Sequence, residues 1–147
     1  MTRYDAPLVA ATTRTLEEMC FFFAVPLLTD EQRDARPEAA MSVRFEGPMS
    51  GRLVVRLCGG MMSRLAANML GDAAGGPETQ RDALGEVANV VCGNLLPLIA
   101  GPDATFALEQ AQPAAAVDRM SPNPAASVQL GFESAGRADM FLYLDAA

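Results

Sequence analysis

The stretch ETQRDALGEVANVVCGNLL, residues 78–96, decides what this chain folds into. Apolar residues recur along it at intervals of three and four, which predicts an amphipathic helix from Glu78 to about Leu96. Pro97 and Gly101 follow, and a proline disturbs a helix because its ring crowds the carbonyl four residues earlier. One side of the helix is suited to packing on a sheet, and its apolar residues are Leu84, Val87, Val91, Leu95 and Leu98.

The opposite side of this helix carries a narrow polar stripe. At about 100° per residue, Asp82, Glu86 and Asn89 project in one direction, and Gly93 follows one turn later. A solvated surface is the ordinary explanation of such a stripe, and periodicity alone favours it. Asn and Gly fit that explanation poorly, because Asn is a mediocre helix former and glycine in mid-helix costs about 1 kcal/mol relative to alanine.

Gly93 has two explanations at this level. It eases the crowding that Pro97 imposes on the carbonyl four residues earlier, or it leaves a bare backbone that a partner can approach. The spacing is compatible with both explanations. Gly93 is therefore a candidate for partner binding or for structural support of the helix, and not for a catalytic role.

The composition excludes several classes of protein. The 147 residues include no histidine, and eleven arginines stand against eighteen acidic residues for a net charge of −7. We therefore expect no nucleic-acid partner and no anionic membrane surface, because no basic patch is available to neutralise phosphates. Without histidine the chain also lacks the commonest general base and the commonest metal ligand, so its chemistry has to rest on carboxylates, amides or a partner.

The N-terminal part of the chain predicts a cytoplasmic protein. The most apolar run, Met19 to Leu28, is shorter than the roughly 20 residues of a membrane span and contains Pro26, so we expect core. Asp5, Glu17 and Glu18 lie where a secretory signal would have a basic start and an unbroken apolar stretch.

Neither the cysteines nor the glycine pairs predict a cofactor site. Cys20, Cys58 and Cys92 are odd in number and widely spaced, so they suggest small buried apolar residues rather than zinc ligands or disulfides. Gly59-Gly60 and Gly75-Gly76 do not form a phosphate-binding pattern and are better explained as turns, which leaves a flavin or nucleotide enzyme without support.

The rest of the chain predicts two more helices and about five strands. A helix from Leu8 to about Ala24 ends before Pro26, and a shorter one covers Met61 to Leu70. Thr29 to Glu38 reads as a solvated connection, and Pro113 to Pro124 as a proline-rich link. The predicted strands are Met41–Glu46, Gly51–Leu57, Thr105–Glu109, Ser127–Phe132 and Asp139–Leu144.

These elements predict an α/β protein of the α+β type. Strands joined mainly by turns favour an antiparallel sheet with long helices packed on it over a parallel doubly wound sheet. A chain of this length supports one sizeable core, so we expect a single domain over residues 1–147.

The run Arg81 to Asn94 resembles the signature helix of the CheC/CheX/FliY chemotaxis phosphatases. That family has an acidic or serine residue, a Glu four residues later, an Asn three after that, and a proline just over twenty residues on. The strand and helix from Gly51 to Gly71 are also typical of CheX-like domains, so the resemblance spans roughly Met41 to Pro113. The matching positions are Asp82, Glu86, Asn89 and Pro113, the last about one residue later than usual.

The resemblance implies a phosphatase that dephosphorylates the phospho-aspartyl group of a CheY-like response regulator. By similarity, Asn89 orients the attacking water and Glu86 pairs with a lysine of the regulator, which also supplies the Mg²⁺. The chain then needs no cofactor or metal of its own. Asp82 either supports the start of the helix or contacts the partner, and Gly93 and Pro113 are supporting candidates.

The resemblance also implies one site per chain. The CheC branch carries a second motif on its first helix, where this chain has Thr13, Glu17 and Cys20. A thiol cannot replace an amide that donates and accepts at once. A single site is the CheX-like arrangement, and CheX-like domains pair as homodimers. An alternative is a CheX-like adaptor that binds a response regulator or a flagellar switch component without turnover.

Overall fold

The computed structural model describes residues 2–71, 75–114 and 123–146. Within them the chain forms four helices and six strands, against the three helices and five strands expected. The helices are α1 (Asp5–Cys20), α2 (Asp30–Arg33), α3 (Met61–Leu70) and α4 (Pro77–Ala100). The strands are β1 (Pro37–Glu46), β2 (Gly51–Cys58), β3 (Ala107–Leu108), β4 (Gln112–Ala114), β5 (Ala126–Gly131) and β6 (Arg137–Leu144).

All six strands join in one antiparallel sheet, which confirms the predicted fold class. The strand order is β3-β1-β2-β6-β5, and β4 pairs with β1 beside β3. Two hairpins, β1–β2 and β5–β6, therefore meet through β2 and β6 in the middle of the sheet. The short strands β3 and β4 form one outer edge and β5 forms the other.

The core lies between one face of the sheet and helices α1, α3 and α4. Alternation along β2 sends Leu53, Val55 and Leu57 to this face, where all three are fully buried. Leu8 and Leu16 of α1 contribute to the same cluster. The opposite face carries the charged and aromatic side chains of β2 and β6, so the helices cover the sheet on one side.

Helix α4 packs along the middle of this core. As predicted, Leu84, Val87, Val91 and Leu95 are fully buried. The prediction was wrong for Leu98, which is 56% exposed, because beyond Pro97 the last turn packs Ile99 against the core instead.

The expected end of α4 at Pro97 was also wrong. The helix continues to Ala100, where Gly101 donates its N–H to the carbonyl of Pro97. Pro97 lies on the exposed side, and water can satisfy a backbone carbonyl that has lost its helical donor.

By length and composition α4 is the one helix in the described ranges that could cross a membrane. Half of its most apolar 18-residue window is buried inside the protein, which is typical of a core helix and makes the apolar composition weak evidence for a membrane span.

Helix α1 ends at Cys20, four residues earlier than expected. Phe21 adopts a left-handed conformation with φ 57°, and the N–H groups of Phe21 and Phe22 donate to the carbonyls of Glu17 and Leu16, which closes the helix. The apolar run that follows is only partly core. Phe22 is buried, whereas Phe21, Phe23 and Leu27 are 64%, 48% and 80% exposed.

The segment expected to be a solvated connection contains α2 instead. Thr29 accepts from the N–H of Gln32, and the Gln32 side chain accepts from the N–H of Thr29, which forms a capping box. Gln32 is buried, and its Nε2 donates to the carbonyls of Phe132 and Ala135. Tertiary hydrogen bonds thus order this segment, and strand β1 already begins at Pro37.

The strands at the β1 edge differ most from the prediction. The strand expected over Thr105–Glu109 is reduced to the two residues of β3, and β4 forms inside the proline-rich stretch. Pro113 is tolerated there because β4 is an edge strand, where a missing N–H costs no ladder bond. Residues 115–122 of that stretch, and residues 72–74 between α3 and α4, lie outside the described residues.

Candidate functional site

Helix α4 presents the predicted polar stripe to the outside of the protein. Asp82, Glu86 and Gly93 are exposed and Asn89 is partly buried, while the reverse side of the helix is in the core. The stripe extends about 16 Å along the helix axis from Asp82 to Gly93. Because the buried side holds the helix in place, the side chains of the stripe have a rigid support.

Asn89 is the unusual member of the stripe. Among the described residues, its Oδ1 is the one buried side-chain oxygen or nitrogen without a hydrogen-bond partner. A buried polar atom left without a partner costs about 1–3 kcal/mol. Such an atom in a native structure calls for an explanation, and a functional role is a common one.

The space around Gly93 helps to decide whether this glycine relieves crowding by Pro97 or lets a partner approach the backbone. A Cβ added at Gly93 would meet no atom within 4 Å. An alanine at this position therefore would not collide with the ring of Pro97 or with any other side chain that the structure describes. Internal packing does not require glycine here, which favours the explanation that a partner approaches the backbone.

Pro113 lies on β4, opposite Met41 of β1, and its side chain is exposed. Across a cleft it faces the first turns of α4 at Gln80 and Arg81. The structure thus brings Pro113 to the Asp82 end of the stripe, while Asn89 lies about 10 Å further along the helix.

Gly85 is a residue of this region that the sequence reasoning missed. A Cβ at Gly85 would lie 3.2 Å from Cε of Met41 and 3.5 Å from Cβ of Ala111. The glycine thus allows α4 to approach the edge of the sheet closely, next to Glu86. A second glycine in mid-helix was the available signal, since it costs helix stability unless close packing needs it.

The first helix has a buried cysteine at the position where a second site would need an amide. Cys20 is fully buried at the end of α1, and burial raises the pKa of its thiol to about 12. It can neither reach a partner nor ionise near neutral pH. The single-site expectation therefore has a steric reason as well as the chemical one.

The other two cysteines are equally inert. Cys58 and Cys92 are fully buried, and burial raises the pKa of their thiols to about 11 and about 12. All three cysteines are free, as expected. In the part of the chain that the structure describes, no group of three or more Cys, Asp or Glu side chains could hold a metal ion.

Known proteins share the fold of this chain. The family model of the chemotaxis phosphatase CheX matches residues 39–132. The chain is similar in structure to the CheX protein of Vibrio vulnificus, with 19% identity, 97% of both chains covered and a TM-score of 0.74. It is also similar to CheX of Desulfovibrio desulfuricans, with 18% identity, 95% and 97% coverage and a TM-score of 0.73.

A third similar structure is the CheX–CheY–BeF3–Mg²⁺ complex of Borrelia burgdorferi. It is 12% identical, the match covers 99% of this chain and 100% of that one, and the TM-score is 0.68. These likenesses show the fold. The comparison with curated proteins returned no match.

A helix-covered antiparallel sheet of this kind is the fold that the chain shares with these chemotaxis proteins. The chain belongs to the CheX family of chemotaxis phosphatases, whose model matches most of its length. Its activity is accordingly that of a chemotaxis phosphatase.

Proposed function

We propose that the α4 stripe is the site at which this chain hydrolyses the phospho-aspartyl group of a CheY-like regulator, with Asn89 and Glu86 as its catalytic residues. The observation that carries the proposal is the buried, unpaired Oδ1 of Asn89 in the middle of an otherwise exposed polar stripe. A partly exposed amide, which can both donate and accept, next to an exposed carboxylate is suited to holding one water beside a docked phosphoryl group.

The chemistry suits a chain without histidine. The oxygen of a water attacks phosphorus, the bond between phosphorus and the aspartyl oxygen breaks, and the leaving group is a carboxylate. A carboxylate with a pKa of about 3.9 needs no proton to leave, so no general acid is required. The proton released by the water passes to the phosphate product or to solvent. The remaining task is to position the water, which can contribute several kcal/mol.

The two residues have different roles in this proposal. Asn89 inserts its amide next to the phosphoryl group and orients the attacking water. Glu86, exposed one turn earlier, pairs with a lysine of the regulator and so sets the position of Asn89. Asp82 and Pro113 contact the partner at the other end of the stripe, and Gly93 lets the regulator approach the helix backbone.

The partner completes the site. The regulator supplies the Mg²⁺ that neutralises the phosphoryl charge, and this chain contributes no metal ligand. The complex of the Borrelia proteins, which contains CheX, CheY, BeF3 and Mg²⁺, supports this division. We further propose that residues 1–147 act as one CheX-like domain in the cytoplasm, as a homodimer with one site per chain.

The test is the decay of a phosphorylated CheY-type regulator with Mg²⁺ present, in buffer and with each form of the protein. We expect the wild-type chain to speed the decay and Asn89→Ala to abolish the acceleration. Glu86→Ala should weaken it, mainly through a higher KM. If the wild type leaves the decay of every regulator of its own genome unchanged, the phosphatase proposal fails. Regulator binding without turnover would then identify an adaptor.

A further inference from the structure

A cleft of about 290 Å³ lies next to the α4 stripe. Its walls come from the start of β1, the edge strand β4 and the first turns of α3 and α4. We call it the Glu38 cleft and define it by Glu38, Met62, Pro77, Arg81 and Pro113. Pro113 belongs both to this cleft and to the candidate site, so the two surfaces are continuous.

A regulator docked on the stripe would cover this cleft. Arg81 lies five residues before Glu86 on the same helix, which is about 8 Å along the axis. A specific protein interface buries about 800 Å² on each partner, a patch roughly 30 Å across. An interface of that size around Glu86 and Asn89 therefore includes the Glu38 cleft.

The chemistry of the cleft selects a particular kind of side chain. Met62, Pro77 and Pro113 supply apolar walls, which suit an aliphatic stem. Glu38 is exposed, and its Oε1 accepts a long hydrogen bond of 3.4 Å from the N–H of Met62 in the first turn of α3, which places the carboxylate beside the cleft. Within the described part of the chain Glu38 has no ion-pair partner, although Arg81 lines the same cleft.

The charge around the cleft also favours a cationic side chain. Arg81 is followed by Asp82 and Glu86 and preceded by Glu78 on α4, so acids outnumber it on this part of the helix. The chain as a whole carries a net charge of −7. A cationic side chain entering the cleft therefore meets a favourable field and the Glu38 carboxylate.

We propose that the Glu38 cleft receives a lysine or arginine side chain of the docked response regulator, with its stem against the apolar walls and its cation at Glu38. This inference rests on the proposed function and deepens it, because the cleft selects which regulator binds. Glu38 is a specificity residue, and it takes no part in hydrolysis.

The experiment compares Glu38→Gln with the wild type in steady-state dephosphorylation of the CheY-type regulator. Glutamine keeps an oxygen that can accept from the N–H of Met62, so this hydrogen bond is retained while the charge is lost. We expect KM to rise about three- to tenfold with kcat unchanged, and KM to depend less on salt. Glu133→Gln makes the same change of charge at the far edge of the sheet and should leave both constants unchanged.

A second variant tests the sign of the occupant's charge. Arg81→Gln should leave KM unchanged or lower it, because a competing cation is removed from the cleft. Replacing individual basic residues of the regulator by Glu should identify one whose effect is reversed by Glu38→Lys.

Three results would overturn the proposal while leaving the phosphatase function intact. The first is an unchanged KM in Glu38→Gln. The second is a rise of KM in Arg81→Gln that is larger than the rise in Glu38→Gln, which would indicate an acidic occupant. The third is a change of oligomeric state in Glu38→Gln by light scattering, which would assign the cleft to a second copy of this chain. Failure of the phosphatase proposal is distinct, because the wild type itself would then be inactive.

Discussion

Glu86 and Asn89 lie three residues apart on one stripe of α4, but Glu86 is exposed whereas the Oδ1 of Asn89 is buried without a hydrogen-bond partner. An exposed carboxylate is well solvated and costs the fold nothing. A buried amide oxygen without a partner is destabilising. Of these two residues, Asn89 is therefore the one that destabilises the fold, and its replacement should change the free energy of unfolding.

Replacing Asn89 by alanine should stabilise the protein while removing its activity. The change eliminates the unpaired oxygen and improves helix propensity, so we expect the free energy of unfolding to rise by about 1–2 kcal/mol. Urea unfolding followed by circular dichroism, alongside the phosphatase assay, measures both effects. Asn94→Ala is the matched control: Asn94 Nδ2 donates to Thr15 Oγ1 at 3.0 Å, so its loss should destabilise by about 1 kcal/mol. Equal destabilisation by the two changes would contradict this account.

Gly93→Ala should also stabilise the protein while impairing its activity, but for a different reason. A Cβ there meets nothing within 4 Å, so alanine should add about 1 kcal/mol of stability through helix propensity. If a partner contacts the bare backbone, the added methyl group should raise the KM for the phosphorylated regulator. Gly85→Ala provides a comparison. The added Cβ would lie 3.2 Å from Cε of Met41, so this substitution should raise the free energy of unfolding less than Gly93→Ala does. An unchanged KM in Gly93→Ala would return Gly93 to a structural role.

The opposite face of the sheet should control stability without affecting catalysis. Asp139 is fully buried between Arg56 and Arg137, with N–O distances of 2.7 Å to each. Asp139→Asn leaves two largely buried guanidinium groups without a counter-charge, so we expect a loss of about 3–5 kcal/mol. Glu18→Gln breaks the exposed Arg14–Glu18 pair and should cost less than about 1 kcal/mol. Differential scanning calorimetry compares the two, and a similar small loss would show that the buried network is relaxed in solution.

The buried thiols predict a loss of stability at alkaline pH. In the folded state burial raises the pKa of Cys20 and Cys92 to about 12 and that of Cys58 to about 11, from a reference of 9.0. Below pH 9 the thiols are protonated in both states, so their contribution is intact. Above pH 9 only the unfolded thiols ionise, and each lowers the free energy of unfolding by about 1.4 kcal/mol per pH unit until its folded pKa is reached.

Urea unfolding at pH 8 and pH 10 measures this slope. Cys92→Ala should show a shallower fall than the wild type, because one of the titrating thiols is gone. A slope identical to that of the wild type would mean that Cys92 is accessible to solvent in the folded state.

Local sequence patterns correctly predicted those helices and strands whose structure depends mainly on residues nearby in the sequence. The 3.6-residue repeat of α4 correctly separated a buried face from the stripe of Asp82, Glu86, Asn89 and Gly93. Short apolar and β-branched runs located β2 and β6 closely. These patterns, with the spacing of Glu86, Asn89 and Pro113, were also enough to identify the family. Each depends on the geometry of one helix or one strand, which is the same in every fold.

The tertiary structure decided the features that depend on distant residues. Helix α1 ends at Cys20, and the segment after it bonds to the end of β5 through Val25 and Gly131. Helix α2 forms around Gln32, whose side chain donates to carbonyls in the turn after β5. Strand β4 exists because β1 offers it an edge. The burial of Asn89 Oδ1 and the cleft between Glu38 and Pro113 depend on how α4 packs against the rest of the chain. Such contacts join residues far apart in sequence, and periodicity carries no information about them.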